Sequence, residues 1–471
     1  MQDRRELGDP AAGGAAVLPQ PQRGPVAPGP QHDSAGGPAA IAPFSVPLPL
    51  PRTLLPVRRA ADTDFYAITA CRGTAEFVPG TTAGVLTYGG SFCGPTIRAR
   101  TGRRVVVAHT NRLDTATALH LYGGHGLSGS AGFPTDLVEP GHTRFYHYPN
   151  NQPAATLWYH DHAHLLAAEH VYRGMSGLYL LEDPAEARLG LPSGRYDIPI
   201  MLRDGCLSAA GDLVWAPGDA AGRGTVLVNG RPWPYLEVAA RRYRFRICNS
   251  ANLRTFTLRL GQADPVTQIA SDRSLLPRPV PVRSLRLSPA ERADVVIDFS
   301  RYRLGTRLVL ADAAAGPVLR FDVTRVAPDN SRLPDTFGPA PALPTATVTR
   351  RVELAIDARA GTFLLNGRSF DPGRVDVTVR RGSTEIWAVH NAGPAPVPLN
   401  LHLGPAHVTV LSRDGAPPPA TEAGWKDTVP LAPGERVRLL ATFSGYPGRY
   451  TFGCRLLDHT PALTGRLDLV A

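Results

Sequence analysis

The sequence predicts an all-β protein built from three consecutive β-sandwiches. From about residue 50, short runs of alternating apolar and polar residues recur along the chain, separated by turns rich in glycine, proline and aspartate. The 47 glycines and 47 prolines among 471 residues favour short strands and many turns over long helices. A chain of this length exceeds one ordinary hydrophobic core, so we expect several domains.

The predicted strands group into segments of ordinary domain size. Residues 1–49 are rich in proline, glycine, alanine and glutamine, which predicts a disordered tail. We place the three sandwiches at 50–185, 186–330 and 346–471, with the proline-rich segment 325–350 as a linker. The predicted strands include, in chain order, RRVVVAHT (103–110), ATALHLY (116–122), TLWYHDH (156–162), GLYLLED (177–183), YRFRIC (243–248), TFTLRL (255–260), ADVVIDF (293–299), RVELAID (351–357), TEIWAVHN (384–391), HVTVLS (407–412), RVRLLATF (436–443) and GRYTFG (448–453).

The charge and the cysteine content argue against several classes of function. The net charge is +10, but the basic side chains are scattered arginines and a single lysine, so we expect no nucleic-acid partner. The five cysteines include no Cys-x-x-Cys pair, which argues against a disulfide framework and suits a reducing compartment. Neither a signal peptide nor an apolar run of membrane-spanning length is legible. We therefore expect a cytoplasmic protein that makes no membrane contact.

Four short segments concentrate residue types that bind metals. They are His120-Leu-Tyr122, His160-Asp-His162, Asn400-Leu-His402 and Gly453-Cys454-Arg455. Side chains two apart on a strand point the same way, so His160 should project with His162, and His120 with Tyr122. A metal bound by imidazoles needs such convergence from several strands. Each motif taken alone is more often an ordinary polar face or, for the cysteine, an inert core residue.

Longer stretches show a specific resemblance. From about residue 55 to 471 the chain resembles the three-domain multicopper oxidases, in the bacterial branch of spore-coat laccases and phenoxazinone-synthase-like enzymes. The resemblance implies three cupredoxin-like Greek-key sandwiches and an oxidoreductase family. The stretches are LTYGGSFCGPTIRARTGRRVVV (86–107), LHLYGGHGLSGSAGFP (119–134), ATLWYHDHAHLLAAEHVYRGMSGLYLLED (155–183), VLVNGRPWPYLEV (226–238), YRFRICNSANLRTFTL (243–258), LSPAERADVVIDFS (287–300) and WKDTVPLAPGERVRLLATF (425–443).

The resemblance also implies positions for the copper ligands, and other residue types occupy several of them. Members of this family bind a three-copper cluster through four His-x-His-type segments, and a separate blue copper through two histidines and a cysteine. The residues that match cluster ligands are His120, His160, His162 and His402, and those that match blue-copper ligands are Cys454 and His459. The other residues at cluster positions are Tyr122, Asn400, Gly453 and Arg455, with Val397 at a blue-copper position and Thr464 at the axial one.

These replacements imply a degenerate copper site with at most one Cu or Zn ion, in place of the family's four coppers. His162 and His402 would share that ion, with His120 approaching from a neighbouring position. Tyr122 would act catalytically as a hydrogen-bond donor, acid or redox-active phenol. At about 4 Å, the charge of Arg455 would repel a cation by roughly 4 kcal/mol. Four-electron laccase activity is not expected on this basis.

Three functions remain open from the sequence. The first is a repurposed enzyme that acts on a small organic compound, for example in specialised metabolism. The second is an inert subunit or binding protein that pairs with an active enzyme, since a fold by itself does not establish activity. The third is an atypical copper oxidase that recruits other ligands such as His125, His164 or His407.

Overall fold

Strands form nearly all of the regular structure in the computed structural model. The structure describes residues 41–262, 264–340, 342–357, 362–401, 406–454, 456–458 and 464–471. Within these ranges the helices are short, and none of them is long and apolar enough to cross a membrane. They are α1 Ala167–Tyr172, α2 Pro184–Ala187 and the 3₁₀ turns Ser128–Ser130, Gly194–Tyr196, Phe299–Arg301 and Ala420–Glu422.

The first sandwich consists of two five-stranded sheets. Its strands are β1 Thr53–Leu54, β2 Arg58–Arg59, β3 Thr63–Ala75, β4 Ala83–Tyr88, β5 Gly94–Arg100, β6 Arg104–Asn111, β7 Leu119–Tyr122, β8 Thr143–Tyr148, β9 Ala155–Asp161 and β10 Ser176–Glu182. One sheet has the order β1-β5-β10-β9-β7, and the other has the order β2-β3-β6-β8 with β4 beside β3. Alternate apolar residues such as Ile68, Val107 and Leu157 fill the space between the sheets.

The second sandwich packs an eight-stranded sheet on a five-stranded one. Its strands are β11 Asp197–Leu207, β12 Leu213–Val214, β13 Thr225–Val228, β14 Arg231–Pro232, β15 Tyr235–Ala239, β16 Arg242–Asn249, β17 Phe256–Leu260, β18 Val266–Ala270, β19 Leu275–Val282, β20 Leu285–Leu287, β21 Arg292–Asp298, β22 Arg307–Asp312 and β23 Gly316–Arg325. The larger sheet runs β14-β13-β11-β16-β21-β18-β19 with β12 on β11, and the smaller runs β15-β23-β22-β17-β20.

The third sandwich again has two five-stranded sheets. Its strands are β24 Val348–Asp357, β25 Thr362–Leu365, β26 Val377–Arg380, β27 Thr384–Asn391, β28 Val397–Asn400, β29 Ala406–Arg413, β30 Thr428–Leu431, β31 Arg436–Phe443, β32 Gly448–Cys454 and β33 Thr464–Val470. The sheet orders are β25-β24-β27-β31-β29 and β26-β33-β32-β28-β30. Trp387 is fully buried at the centre of the core between them.

The all-β prediction of three consecutive sandwiches is confirmed. The segments predicted at 384–391 and 436–443 match β27 and β31 to the residue, and most others differ by one or two residues at an end. No helix or strand lies in the described part of the predicted linker between β23 and β24. The individual domain boundaries stay predictions.

Most of the predicted N-terminal tail lies outside the described residues. Its last part pairs with the second sandwich. The Phe44 N–H donates to Trp233 O at 2.7 Å, and the Leu48 N–H donates to Tyr235 O at 2.7 Å. The Leu48 side chain joins the core of that sandwich. Because these contacts fix the backbone, the disorder predicted for residues 1–49 does not apply to Phe44 and Leu48.

One face of β16 connects the second sandwich to the first. Alternation along this strand directs Tyr243 and Phe245 into the core and the buried Arg244 to the opposite face. There Arg244 Nε donates to Asp294 Oδ2 at 3.0 Å, and Asp294 Oδ1 accepts a hydrogen bond of 2.7 Å from the Thr156 hydroxyl of β9. This buried network holds β9, which bears the central histidine of the site described next, against the second sandwich.

Candidate metal centre

Three of the predicted histidines lie next to one another where β7 begins and β9 ends. The two strands are antiparallel neighbours, and His120 lies directly opposite His160. The ring centroids are 5.3 Å apart for His120 and His160, 5.0 Å for His120 and His162, and 5.7 Å for His160 and His162. β9 ends at Asp161, and the His162 N–H donates to Ala118 O at 2.8 Å, which holds this residue beside the strand pair.

Each of these histidines is oriented by a backbone carbonyl. Nδ1 donates to Ala131 O in His120, to Asp161 O at 2.6 Å in His160, and to Gly132 O at 2.8 Å in His162. Because a carbonyl can only accept, Nδ1 must bear the proton and Nε2 has the lone pair that a metal requires. Fixing the tautomer through the second nitrogen is the usual arrangement for metal-binding histidines.

Gly132 is required where it orients His162. Its φ is +65°, in the left-handed region that favours glycine. A Cβ at this position would lie 2.3 Å from Leu119 O and 2.9 Å from the His120 Cα. The turn can therefore approach β7 closely enough to offer its carbonyl only when the residue is glycine.

Tyr122 is part of the same cluster and is fully buried. It lies opposite Trp158 on β9, with ring centroids 5.5 Å apart, and its ring is 5.8 Å from that of His120. The Thr428 hydroxyl donates to Asp427 Oδ1 at 3.0 Å, so its oxygen is left to accept from the Tyr122 hydroxyl at 2.7 Å. The result is a hydrogen-bonded chain from the phenol to a buried carboxylate.

That carboxylate is neutralised by Arg292. The guanidinium forms two hydrogen bonds of 2.6 Å to Asp427 and lies 5.2 Å from the centre of the Tyr122 ring. Its other donors bond to Thr156 O at 3.0 Å and Asp272 O at 2.9 Å. Burial opposes the charged form, but the charges of Asp427 and Asp272 outweigh it and raise the pKa of Arg292.

The third sandwich contributes Asn400 and Cys454. On β28, Asn400 pairs with Gly453 of β32 and with Thr428 of β30, while Leu399 pairs with Cys454. Cys454 lies in the hydrophobic core of that sandwich, as does Val397. The structure thus brings Asn400 and Thr428 to the histidines of the first sandwich. The predicted site residues His402 and His459, and the expected repulsion from Arg455, lie outside the described residues.

A second layer fixes the loop between His160 and His162. Asp161 is fully buried; Oδ1 accepts from the Ala118 N–H at 2.9 Å, and Oδ2 accepts from the Ala163 N–H at 3.2 Å and from His170 Nδ1 at 3.0 Å. Burial lowers the pKa of His170, but the hydrogen bond and charge of Asp161 more than offset it, so the pKa lies above 6.5. The position of Asp161 between two ligand-type histidines is the feature of the sequence that could have indicated this positioning role.

The histidines considered as substitute ligands lie around the same cluster. His125 lines a cavity together with His120, and His164 lines another with His162. The rings of His125 and His407 are 5.8 Å apart. Burial lowers the pKa of His125 to about 3 and that of His407 to about 4, with Arg273 adding to both shifts, so both rings are neutral at pH 7. Among the described residues, no three His, Cys, Asp or Glu side chains converge on a single ion position.

This geometry defines a class of protein: cupredoxin-like sandwiches with a histidine cluster where two of them meet. Models of the family described as Multicopper oxidase match residues 69–186 and 340–463. A laccase of Bacillus subtilis (strain 168) is 34% identical over 88% of this chain and 95% of its own length. A bilirubin oxidase of Albifimbria verrucaria is 34% identical over 88% of this chain and 79% of its own length.

A solved structure agrees with these matches. The crystal structure of a laccase from Pediococcus acidilactici superposes with a TM-score of 0.85 at 28% identity, covering 93% of this chain and 98% of that one. The chain belongs to the multicopper oxidase family. The predicted family and the cupredoxin-like fold are therefore confirmed.

The predicted cofactor content is wrong. We expected at most one Cu or Zn ion, whereas the family matches and the laccase and bilirubin oxidase relatives indicate a multi-copper complement. The prediction took the changed ligand positions together as the loss of most of the coppers. Three of the residues present fit copper, since His120, His160 and His162 each direct a lone-pair nitrogen away from an anchored Nδ1. Tyr122 and Asn400 add a phenol and an amide to the same cluster.

Proposed function

We propose that this protein is a copper-dependent oxidase of a small organic compound, with His120, His160 and His162 as copper ligands. The observation that supports it is the anchoring of all three Nδ1 atoms by carbonyls, in a chain of the multicopper oxidase family. Copper bound there would supply one-electron redox chemistry between the organic donor and dioxygen. The name of the relative from Albifimbria verrucaria supports an organic donor.

In this proposal Tyr122 is the proton donor of the cluster. Its hydroxyl touches Thr428, which in turn donates to Asp427, so the phenol is held in one orientation next to the histidines. Arg292 neutralises Asp427 and keeps that carboxylate ionised in a buried place. To give its proton to a developing anion beside the histidines, the Tyr122 hydroxyl would turn away from Thr428, and the ionised Asp427 paired with Arg292 would not take that proton first.

Copper content and oxygen uptake test the ligand assignment. We expect wild-type protein loaded with copper to consume oxygen when given a phenolic donor. The variant His162→Ala should lose about a hundredfold or more in activity, because loss of even an outer partner of a ligand costs about 10- to 100-fold. His147→Ala, at an exposed position on β8, is the matched control and should behave as wild type.

The opposite outcome favours a different function. A well-folded wild-type protein that takes up no copper and consumes no oxygen would contradict the proposal. It would support the alternative of a non-catalytic subunit or binding protein, for which the phenol and amide at Tyr122 and Asn400 are the motivating observation. The cytoplasmic location and a role in specialised metabolism stay proposals beside this one.

The variant Tyr122→Phe tests the proton donor separately. It keeps the ring between Trp158 and His120 and removes only the hydroxyl, so we expect the copper content to stay and kcat to fall by about 10²- to 10⁴-fold. A purely structural hydroxyl would instead leave kcat close to the wild-type value at unchanged copper content. Tyr243→Phe, a buried tyrosine of the second sandwich core whose hydroxyl accepts from the Ala239 N–H, is the control. An unchanged kcat in Tyr122→Phe would remove this role.

A further inference from the structure

A small cavity lies beside His120. Its walls include the glycine turn 123–126, Tyr148, Arg273, Asn400, Asp427 and Tyr450. We call it the glycine-turn cavity. It has room for a group the size of water or a carboxylate. His120 is the member of the histidine cluster that lines it, and the copper assignment made above does not enter the argument that follows.

Arg273 is a buried guanidinium that forms no ion pair with a carboxylate of the described residues. It is 2% exposed, and Nη1 donates to Ala406 O, while Nε has no hydrogen-bond partner among the described residues. The two acids that attract it are already engaged: Asp427 with Arg292, and Asp272 with Lys426 and Arg292. A buried charge without a paired counter-charge is costly, so this position favours a bound anion.

Three further side chains that line the cavity have buried polar atoms without a hydrogen-bond partner among the described residues. His125, Tyr148 and Asn400 are 8%, 5% and 2% exposed. Neither ring nitrogen of His125, nor the Tyr148 hydroxyl, nor Asn400 Oδ1 has a hydrogen-bond partner within the part of the chain that the structure describes. Native proteins pair more than nine-tenths of their buried polar groups. Four such side chains around one cavity indicate a ligand rather than an accident of packing.

The donors and acceptors of the cavity specify the ligand. Arg273 and Tyr148 can donate, and neutral His125 offers one donor and one acceptor nitrogen. Asn400 Oδ1 only accepts. A planar carboxylate matches the guanidinium and the phenol, and a hydroxyl next to it matches the two acceptors. We propose that the glycine-turn cavity binds a small 2-hydroxycarboxylate, whose carboxylate contacts Arg273 and Tyr148 and whose hydroxyl donates to Asn400.

Water and halide ions are the competing occupants. Water would satisfy the polar atoms but would leave the charge of Arg273 without a counter-charge. A halide would neutralise that charge, yet it has no proton to donate to Asn400 Oδ1. Water, a halide and a hydroxycarboxylate therefore differ in charge and in hydrogen-bonding groups. Comparing the binding of small probes that differ in these two properties distinguishes them.

Calorimetric titration of the protein as isolated tests the proposal, with sodium glycolate as the probe. We expect saturable binding and a rise of the melting temperature with glycolate. Glycolamide, which has the same shape without the charge, should bind at least tenfold more weakly, and sodium chloride at equal ionic strength should not reproduce the effect. Equal effects of chloride, or no saturable binding of glycolate to the wild type, would overturn the proposal.

Two variants tie the binding to the cavity. Arg273→Gln should weaken glycolate binding by about 10- to 100-fold, as expected for loss of a charge-assisted hydrogen bond. Arg203→Gln is the matched control, because Arg203 is also buried, donates to the Val171 carbonyl and is not among the described residues that line the cavity. Should Arg273→Gln fail to fold, Tyr148→Phe removes a single hydroxyl and should weaken binding by about threefold to tenfold. Wild-type affinity in both variants would exclude this cavity, whatever the outcome of the oxidase assays.

Discussion

Replacing Lys426 with methionine is expected to lower the free energy of unfolding by about 3–5 kcal/mol. Lys426 is 3% exposed, and its Nζ donates to Glu291 Oε1 at 2.7 Å and lies 3.0 Å from Asp272 Oδ2. Burial alone would lower the pKa of Lys426, but the two acids outweigh it and raise that pKa. Methionine fills a similar volume, so the loss comes from two buried carboxylates left without their ammonium.

The consequence reaches beyond one ion pair. Glu291 and Asp272 belong to the second sandwich and Lys426 precedes β30 of the third, so this cluster holds the two together. Asp272 Oδ2 also accepts from the backbone N–H groups of Asp427 and Thr428, each at 3.2 Å. The loss of Lys426 from this cluster should therefore disturb the contact between Thr428 and Tyr122 as well.

The unfolding experiment has a built-in probe. Lys426 is the single lysine of the sequence, so a lysine-specific reagent reports on its exposure apart from the α-amine. Urea unfolding of the variant should show a lower midpoint than that of the wild type, with an unchanged slope. Labelling applies to the wild type alone, because the variant has no lysine, and it should become faster there through the wild-type unfolding transition. The double variant Lys426→Met with Glu291→Gln should recover part of the loss, because the amide removes one unpaired charge. A change within about 0.5 kcal/mol, as for an ordinary surface substitution, would contradict the argument.

The fold could be predicted from the sequence because the alternation of apolar and polar residues along a strand depends only on residues that are neighbours in the chain. TEIWAVHN places Trp387 and Val389 on one face, and the structure buries both there. The prediction failed at the start of ATALHLY, where the strand begins only at Leu119. The Ala118 N–H donates to Asp161 Oδ1, and Thr117 bridges Val138 outside the sheet. A side-chain acceptor from a distant segment replaced the expected strand partner.

The site was predictable only where its residues share a strand or a strand pair. His120, His160 and Tyr122 could be grouped from their spacing and the resemblance. The residues that form hydrogen bonds with this group are distant in the sequence. Thr428, for example, is hydrogen-bonded to Tyr122 although the two residues are 306 positions apart. Nothing in a single sequence indicates that Arg273 is buried and forms no ion pair with the described carboxylates, because this depends on which acids are already paired with other cations.

Asp161→Ala should disrupt the histidine cluster without removing any of its histidines. Three donors would lose their acceptor: the Ala118 N–H, the Ala163 N–H and His170 Nδ1. At about 1–3 kcal/mol for each unsatisfied buried group, we expect a loss of roughly 3–9 kcal/mol in the free energy of unfolding. Because Asp161 also joins His160 to His162, both rings should lose their orientation, and copper binding should weaken with them.

The pH dependence identifies the cause of this loss. The pKa of His170 is raised in the folded state, so its interaction with Asp161 contributes in full below the unfolded value of about 6.5 and is lost as the pH rises through the folded pKa. The difference in unfolding free energy between wild type and Asp161→Ala should therefore be larger at acidic than at alkaline pH. Asp114→Ala, which removes an exposed partner of Arg72, should show a small difference at every pH. A loss in Asp161→Ala that does not vary with pH would mean that His170 takes no part in holding the loop between the two histidines.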